Sequence, residues 1–169
     1  GVAAGMSAAS KAKRIDKSLD ITVYEMTEAI SWGACGLPYY VGDFYPDASL
    51  MVARTYEEFQ KEGINVKIKH KVENVDFKNK KVFVRNLNEN KVFEDSYDEL
   101  VIATGASSTK PKDIKNLDAE GVYNLKTFNE GLEVKKEMMK KENENIIIIG
   151  AGYIGVEIAE AALKLGKNV

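Results

Sequence analysis

Two glycine-rich turns, one strand-end carboxylate and one cysteine carry the chemistry open to this sequence. The run Gly150-Ala151-Gly152-Tyr153-Ile154-Gly155 follows an apolar stretch and precedes an Ala-rich helical pattern. Glycines in that setting permit a tight turn, let the backbone approach a pyrophosphate, and let helix and strand pack closely; the helix N-terminus favours the negative charge. Gly1-Val2-Ala3-Ala4-Gly5 reads as the end of a second such turn, with Val2 where the middle glycine is usual. Glu25 closes the next strand pattern about 20 residues further on, where a carboxylate accepts hydrogen bonds from ribose hydroxyls. Cys35 lies just ahead of a short helical pattern, where unpaired backbone amides would favour the thiolate that attacks disulfides or reacts with peroxide. The plainer alternatives are a structural turn, an ordinary strand-end carboxylate and a cysteine serving as a small apolar residue.

These residues need elements to hold them. Residues 6–17 are Ala-rich with apolar positions at helical spacing, and residues 20–25 alternate as a half-buried strand. Residues 36–41 read as a short helix. Thr55 with Glu58, and Thr127 with Glu130, have the reciprocal capping pattern, predicting helices over 56–62 and from 128 to about 141. Short strands are expected near 66–68, 72–77, 82–86 and 91–96, with turns at Asn79-Lys80 and 87–90. Residues 97–103 read as a strand running into Thr104-Gly105-Ala106, 122–125 as a short strand, and 146–149 as a buried one before a helix to about residue 165. A polar, proline-containing linker at 107–116 places a domain boundary between 1–112 and 113–169. Gly5 and Gly155 stand about one domain length apart as the last glycines of two similar turns, which points to two nucleotides. The opening on a glycine turn, and Lys167-Asn168-Val169 reading as the start of a strand, predict a piece of a longer protein.

Composition excludes several classes. A hydrophobic fraction of 44% against 30% charged residues is that of an ordinary globular protein. The longest apolar run falls far short of the roughly 20 residues a bilayer requires, so no membrane association is expected. A formal charge of -2, with both signs interspersed, offers no cationic face for nucleic acid. One cysteine excludes an internal disulfide and agrees with a reducing cytoplasm. There is no cluster with metal-ligand spacing, and the single His70, between Lys69 and Lys71, reads as a surface residue.

The order of the GVAAG turn, the VYE strand end, the IATGA turn and the GAGYIG turn resembles the pyridine nucleotide-disulfide oxidoreductase family over nearly the whole chain. The resemblance implies an α/β fold of two Rossmann-like units with three-layer parallel sheets, here incomplete. It implies FAD held by Gly1, Val2, Ala3, Ala4, Gly5, Glu25, Met26, Val72, Ala103, Thr104 and Gly105, and NAD(P)H held by Gly150, Gly152, Tyr153, Ile154 and Gly155. The segment Ser31-Trp32-Gly33-Ala34-Cys35-Gly36-Leu37-Pro38-Tyr39-Tyr40 resembles the one-cysteine branch, which includes coenzyme A disulfide reductases and NADH oxidases and peroxidases. Oxidases and peroxidases of that branch carry a His where this chain has Ala3, and the Pro-Tyr-Tyr run looks more like the coenzyme A disulfide reductases.

Ser7, Lys11 and Arg14 share one helix face. In the coenzyme A group the equivalent face contacts the substrate, so these residues and Ser31 are implied substrate contacts, with a solvated basic stripe as the alternative. Ala34 departs from the family, where some members have Asn. The expectation is an FAD-dependent NAD(P)H reductase of coenzyme A disulfide or a related persulfide, with Cys35 catalytic, coenzyme A attached to Cys35 during turnover, and a homodimer as the working assembly. The alternatives left open are an NADH oxidase or peroxidase cycling through a cysteine sulfenic acid, an electron-transfer reductase with Cys35 a bystander, and a nucleotide-binding regulatory module.

Overall fold

The structure, a computed structural model, describes residues 2–169. Along the chain run α1 (Ala4–Ile15), β1 (Ile21–Glu25), a 3₁₀ turn (Ala34–Gly36), α2 (Leu37–Val41), a second 3₁₀ turn (Ala48–Met51), α3 (Tyr56–Lys61), β2 (Ile64–Ile68), β3 (His70–Asp76), β4 (Lys81–Asn86), β5 (Lys91–Ser96), α4 (Phe128–Met138) and α5 (Tyr153–Lys164). They fall into two compact units, each made of two stretches of chain: Gly1–Trp32 with Val52–Gly105, and Gly33–Met51 with Ala106–Val169.

In the first unit β1 and β2 pair in parallel, Ile21 opposite Ile64 through Glu25 opposite Ile68. Strand alternation sends Ile21 and Val23 to one face, where they pack with Met6 and Ala9 of α1, Phe59 of α3, and Ile64 and Val66. The expected capping box is present: the Thr55 N–H donates to Glu58 Oε2 at 2.7 Å and the Glu58 N–H to Thr55 Oγ1 at 3.4 Å. Gly63 ends that helix at a φ of 77°, which only glycine takes without strain. Strands β3, β4 and β5 form an antiparallel meander with a bulge between Val72 and Asn74. Its hairpin turns pass through Lys80 and Asn90 in the left-handed region. Tyr24, on the opposite face of β1, packs against His70 and Phe93 and donates its hydroxyl to Asp95. His70 is thus half-buried in an aromatic cluster, not a bare surface residue.

In the second unit Val41 of α2 packs with Met138 of α4 and Ile158 and Ala162 of α5, and Leu125, Val134, Ile146, Ile148 and Leu165 fill in around them. Two glycines bring these helices together. A methyl on Gly131 would lie 2.1 Å from Leu37 Cδ2, and one on Gly42 would lie 2.8 Å from Ala161 Cβ. The Thr127–Glu130 capping box opens α4 as its spacing predicts.

Three expected strands are not strands here. Residues 97–103, 122–125 and 146–149 run without sheet partners. Ile147 and Ile149 are 89% and 69% exposed, so the expectation of a buried strand at 146–149 is corrected: only Ile146 and Ile148 reach the core. A strand exists through its neighbour's hydrogen bonds, and no described segment is placed to supply them. One parallel pairing does begin, as the Ile146 N–H donates to the Asn168 carbonyl and the Asn168 N–H to the Glu144 carbonyl, both at 2.8 Å.

Candidate functional site

The four α-helices longer than α2 divide into two kinds by how they begin. Helices α3 and α4 are closed by complete capping boxes, in which the N-cap threonine hydroxyl accepts from the Glu58 or Glu130 amide and that glutamate's carboxylate accepts from the threonine amide. Helices α1 and α5 begin at Ala3 and Gly152 with no side-chain cap and no acidic residue in the first turn. Among the described residues no side chain caps their first amides. These are the two helices that follow the glycine-rich turns.

At α5 the three glycines have separate roles. Gly150 holds a φ of 111°, outside the reach of a side-chain-bearing residue. Gly152 has nothing within 4 Å of where a methyl would stand, so the space in front of the helix is open. A methyl on Gly155 would lie 2.0 Å from the Gly150 carbonyl oxygen, so the helix can fold back on the turn only without one. Tyr153 and Ile154, at 92% and 52% exposure, flank this opening. An anion with close backbone approach fits such a cradle.

At α1 the structure joins two motifs that are far apart in sequence. A methyl on Gly5 would stand 3.4 Å from Ala103 Cβ, so the first turn packs directly on the Ala103-Thr104-Gly105 segment, where Gly105 has a φ of 68°. Ala3, Ala4 and Thr104 are exposed; Val2 is half-buried; Gly1 lies outside the described residues. Glu25 is only 7% exposed at the end of β1, and its Oε1 accepts from the Thr27 N–H and hydroxyl, both at 2.8 Å. Burial pushes the Glu25 carboxyl up, and the hydrogen bonds from the Thr27 N–H and hydroxyl oppose it. Met26 is exposed beside it, and Val72 pairs with Val84 at the bulged position of β3. Ser7, Lys11 and Arg14 share the exposed face of α1, opposite buried Met6, Ala9 and Ser10. Ser31 takes a φ of 45°, and its carbonyl accepts from the Ala53 N–H at 2.8 Å.

Cys35 is exposed, in the 3₁₀ turn that runs straight into α2. It belongs to the second unit; Ser7, Lys11, Arg14 and Ser31 belong to the first. The Gly36 N–H donates to the Gly33 carbonyl at 2.9 Å, the Leu37 N–H donates to Ala34, and Pro38 has no N–H. The Gly36 and Leu37 amides are thus used by the turn itself. Sequence reasoning also missed the neighbours of this turn, above all Tyr45, whose hydroxyl donates to the Gly36 carbonyl. A tyrosine ten residues past a cysteine has no periodic relation to it that a pattern could reveal.

Among the described residues no group of three or more His, Cys, Asp and Glu side chains is placed to hold a metal ion, and no helix is long and apolar enough to cross a membrane.

A sequence profile described as pyridine nucleotide-disulphide oxidoreductase matches residues 1–169. The chain is 38% identical over 167 residues to the CoA-dependent NAD(P)H sulfur oxidoreductase of Pyrococcus furiosus, covering 99% of this chain and 37% of that protein. It is 30% identical over 168 residues to the coenzyme A disulfide reductase of Staphylococcus aureus, with 99% of this chain and 37% of that protein covered. The chain therefore spans little more than a third of the length of these relatives. Among solved structures, it superposes on the water-forming NADH oxidase from Lactobacillus brevis bound to NADH with a TM-score of 0.92 at 33% identity, over 98% of this chain and 36% of that one.

Proposed function

Because the chain belongs to the pyridine nucleotide-disulphide oxidoreductase family, we propose that the protein is an FAD-dependent NAD(P)H oxidoreductase that reduces coenzyme A disulfide, or a related disulfide or persulfide, through Cys35. The observation that carries this reading is the pair of uncapped, glycine-led helix N-termini at α1 and α5, beside two other helices that close their own ends. Two sites with unclaimed amides match two dinucleotides.

FAD is assigned to Val2, Ala3, Ala4 and Gly5, to Glu25 and Met26, to Val72 and to Ala103, Thr104 and Gly105. Residues 1–112 would serve it, and residues 113–169 would open the NAD(P)H portion. NAD(P)H is assigned to Gly150, Gly152, Tyr153, Ile154 and Gly155. Buried Glu25 would accept from the ribose hydroxyls at the end of β1. When bound, the two cofactors would supply a hydride and relay its two electrons. The protein's own part at Cys35 is nucleophilic: the thiolate attacks one sulfur of the substrate disulfide, the old S–S bond breaks, and one thiol departs, leaving a Cys35 mixed disulfide. Two electrons and one proton then release the second thiol and restore the Cys35 thiolate. Ser7, Lys11, Arg14 and Ser31 are proposed contacts for the phosphates and polar groups of coenzyme A, in a homodimer.

Replacing Cys35 by Ser in the purified, flavin-loaded protein tests this: coenzyme A disulfide turnover should be abolished while flavin content stays at the parent level. Unchanged turnover would end the proposal. The likeness to the Lactobacillus brevis NADH oxidase favours a second reading, in which Cys35 cycles through sulfenic acid with oxygen or peroxide as acceptor. Consumption of oxygen against consumption of coenzyme A disulfide, with NADH supplied, separates the two.

A further inference from the structure

The loop after α2 is tied down by polar contacts for which the reductase reading has no use. Half-buried Tyr45 donates its hydroxyl to the carbonyl of Gly36, the residue after Cys35. Gly36 makes room for it, since a methyl there would lie 2.6 Å from the Tyr45 hydroxyl oxygen and 3.2 Å from Met51 Cγ. The main-chain carbonyl of Tyr45 in turn accepts from the Lys135 ammonium at 3.3 Å, and the same ammonium donates to Asp43 Oδ1 at 2.7 Å. Lys135 is a long cationic side chain only 12% exposed, with its ammonium 4.2 Å from the centre of the Tyr40 ring. Lys164 of α5 donates to the Gly42 and Asp43 carbonyls at 2.9 and 2.8 Å. Asp43 itself takes a φ of 54°, and the hydrogen bond and charge of Lys135 hold its carboxyl below the ordinary value.

The physical reason to connect this to the cysteine is the glycine beside it. The turn holds that glycine from within, through the Gly36 N–H to the Gly33 carbonyl and the Leu37 N–H to the Ala34 carbonyl. The Tyr45 hydroxyl adds a hold on the Gly36 carbonyl from outside the turn, and Lys135 holds the backbone of Tyr45. Reaction at sulfur needs a fixed approach.

We propose that Tyr45 and Lys135 are positioning residues for Cys35: the Tyr45 hydroxyl holds the carbonyl of Gly36, the residue after the thiol, and Lys135 holds the Tyr45 backbone. The inference rests on the reading of Cys35 as the reactive group. Tyr45→Phe keeps the ring and removes only the hydroxyl, Lys135→Met keeps the stem and removes the charge, and Lys135→Arg returns a cationic donor. The readouts, on the flavin-loaded protein, are the rate of Cys35 alkylation by iodoacetamide against pH, and kcat and KM with coenzyme A disulfide.

Tyr45→Phe should displace the alkylation profile and lower kcat about tenfold, the scale of one lost hydrogen bond, with KM for NADH unchanged. Lys135→Met should move both in the same direction, the double variant should be no worse than the worse single, and Lys135→Arg should restore most of the loss. Parent-like alkylation profiles in both single variants would overturn the proposal. Should Tyr45→Phe lose its flavin, the Lys135→Met profile decides the matter. Failure of the reductase reading shows separately, as turnover that survives Cys35→Ser, because alkylation reports on the thiol whatever the enzyme reduces.

Discussion

Gly155 shows how much can rest on one missing methyl. Its replacement by Ala would set a carbon 2.0 Å from the Gly150 carbonyl oxygen, and backbone cannot yield as a side-chain end can. The turn would have to open, so NAD(P)H affinity should fall about tenfold or more, the scale of a misplaced charge-assisted contact, while flavin content stays constant. Fluorescence titration of the flavin-loaded protein with NADH and NADPH measures it. Tyr24 makes a different point. Burial first, then the hydrogen bond to Asp95 and the charge of Asp95, push its phenol well above the ordinary value. A proton held more tightly in the folded state gives stability that is whole below the unfolded tyrosine value, about pH 10, and drains away as pH rises beyond it. Denaturant midpoints taken from pH 8 upward should therefore fall less steeply for Tyr24→Phe than for the parent; equal slopes would show that the phenol is not linked to folding.

At the scale of elements, the contrast between closed and open helix ends yields paired expectations. Thr127→Ala removes the α4 cap and should cost about 1 kcal/mol, read as a lower denaturant midpoint, without touching nucleotide binding. Ile154→Glu places a carboxylate in the first turn of α5, where it should stabilise the helix by about 0.3–1 kcal/mol. The same carboxylate should weaken NAD(P)H binding, since the amides serve one anion at a time. What the sequence disclosed follows the same line. Both capping boxes, the meander and the glycine turns were legible because each is written within a few consecutive residues. The strands expected at 97–103 and 146–149 were not realised, because apolar alternation marks a strand's capacity to pair and says nothing of whether a partner is at hand. The site was legible in part for the same reason. Cys35 and its turn form a contiguous motif, whereas Lys135 reaches Asp43 and Tyr45 from across most of the chain. Sequence showed that Pro38 offers no amide but could not show that the 3₁₀ turn would use those of Gly36 and Leu37.

At the scale of the whole molecule, the stretches that build the two compact units alternate along the chain. The polypeptide passes from one to the other after Trp32, after Met51 and after Gly105, so residues 33–51 pack with α4 and α5 although they precede most of the first unit in the chain. A single protease cut within the exposed residues 107–112 would leave Leu37 and Val41 on the front piece, still seated against Gly131, Met138, Ile158 and Ala162 on the rear one. The nicked protein should thus run as two bands in denaturing electrophoresis and elute as one species in native gel filtration, held by side chains alone across a broken backbone.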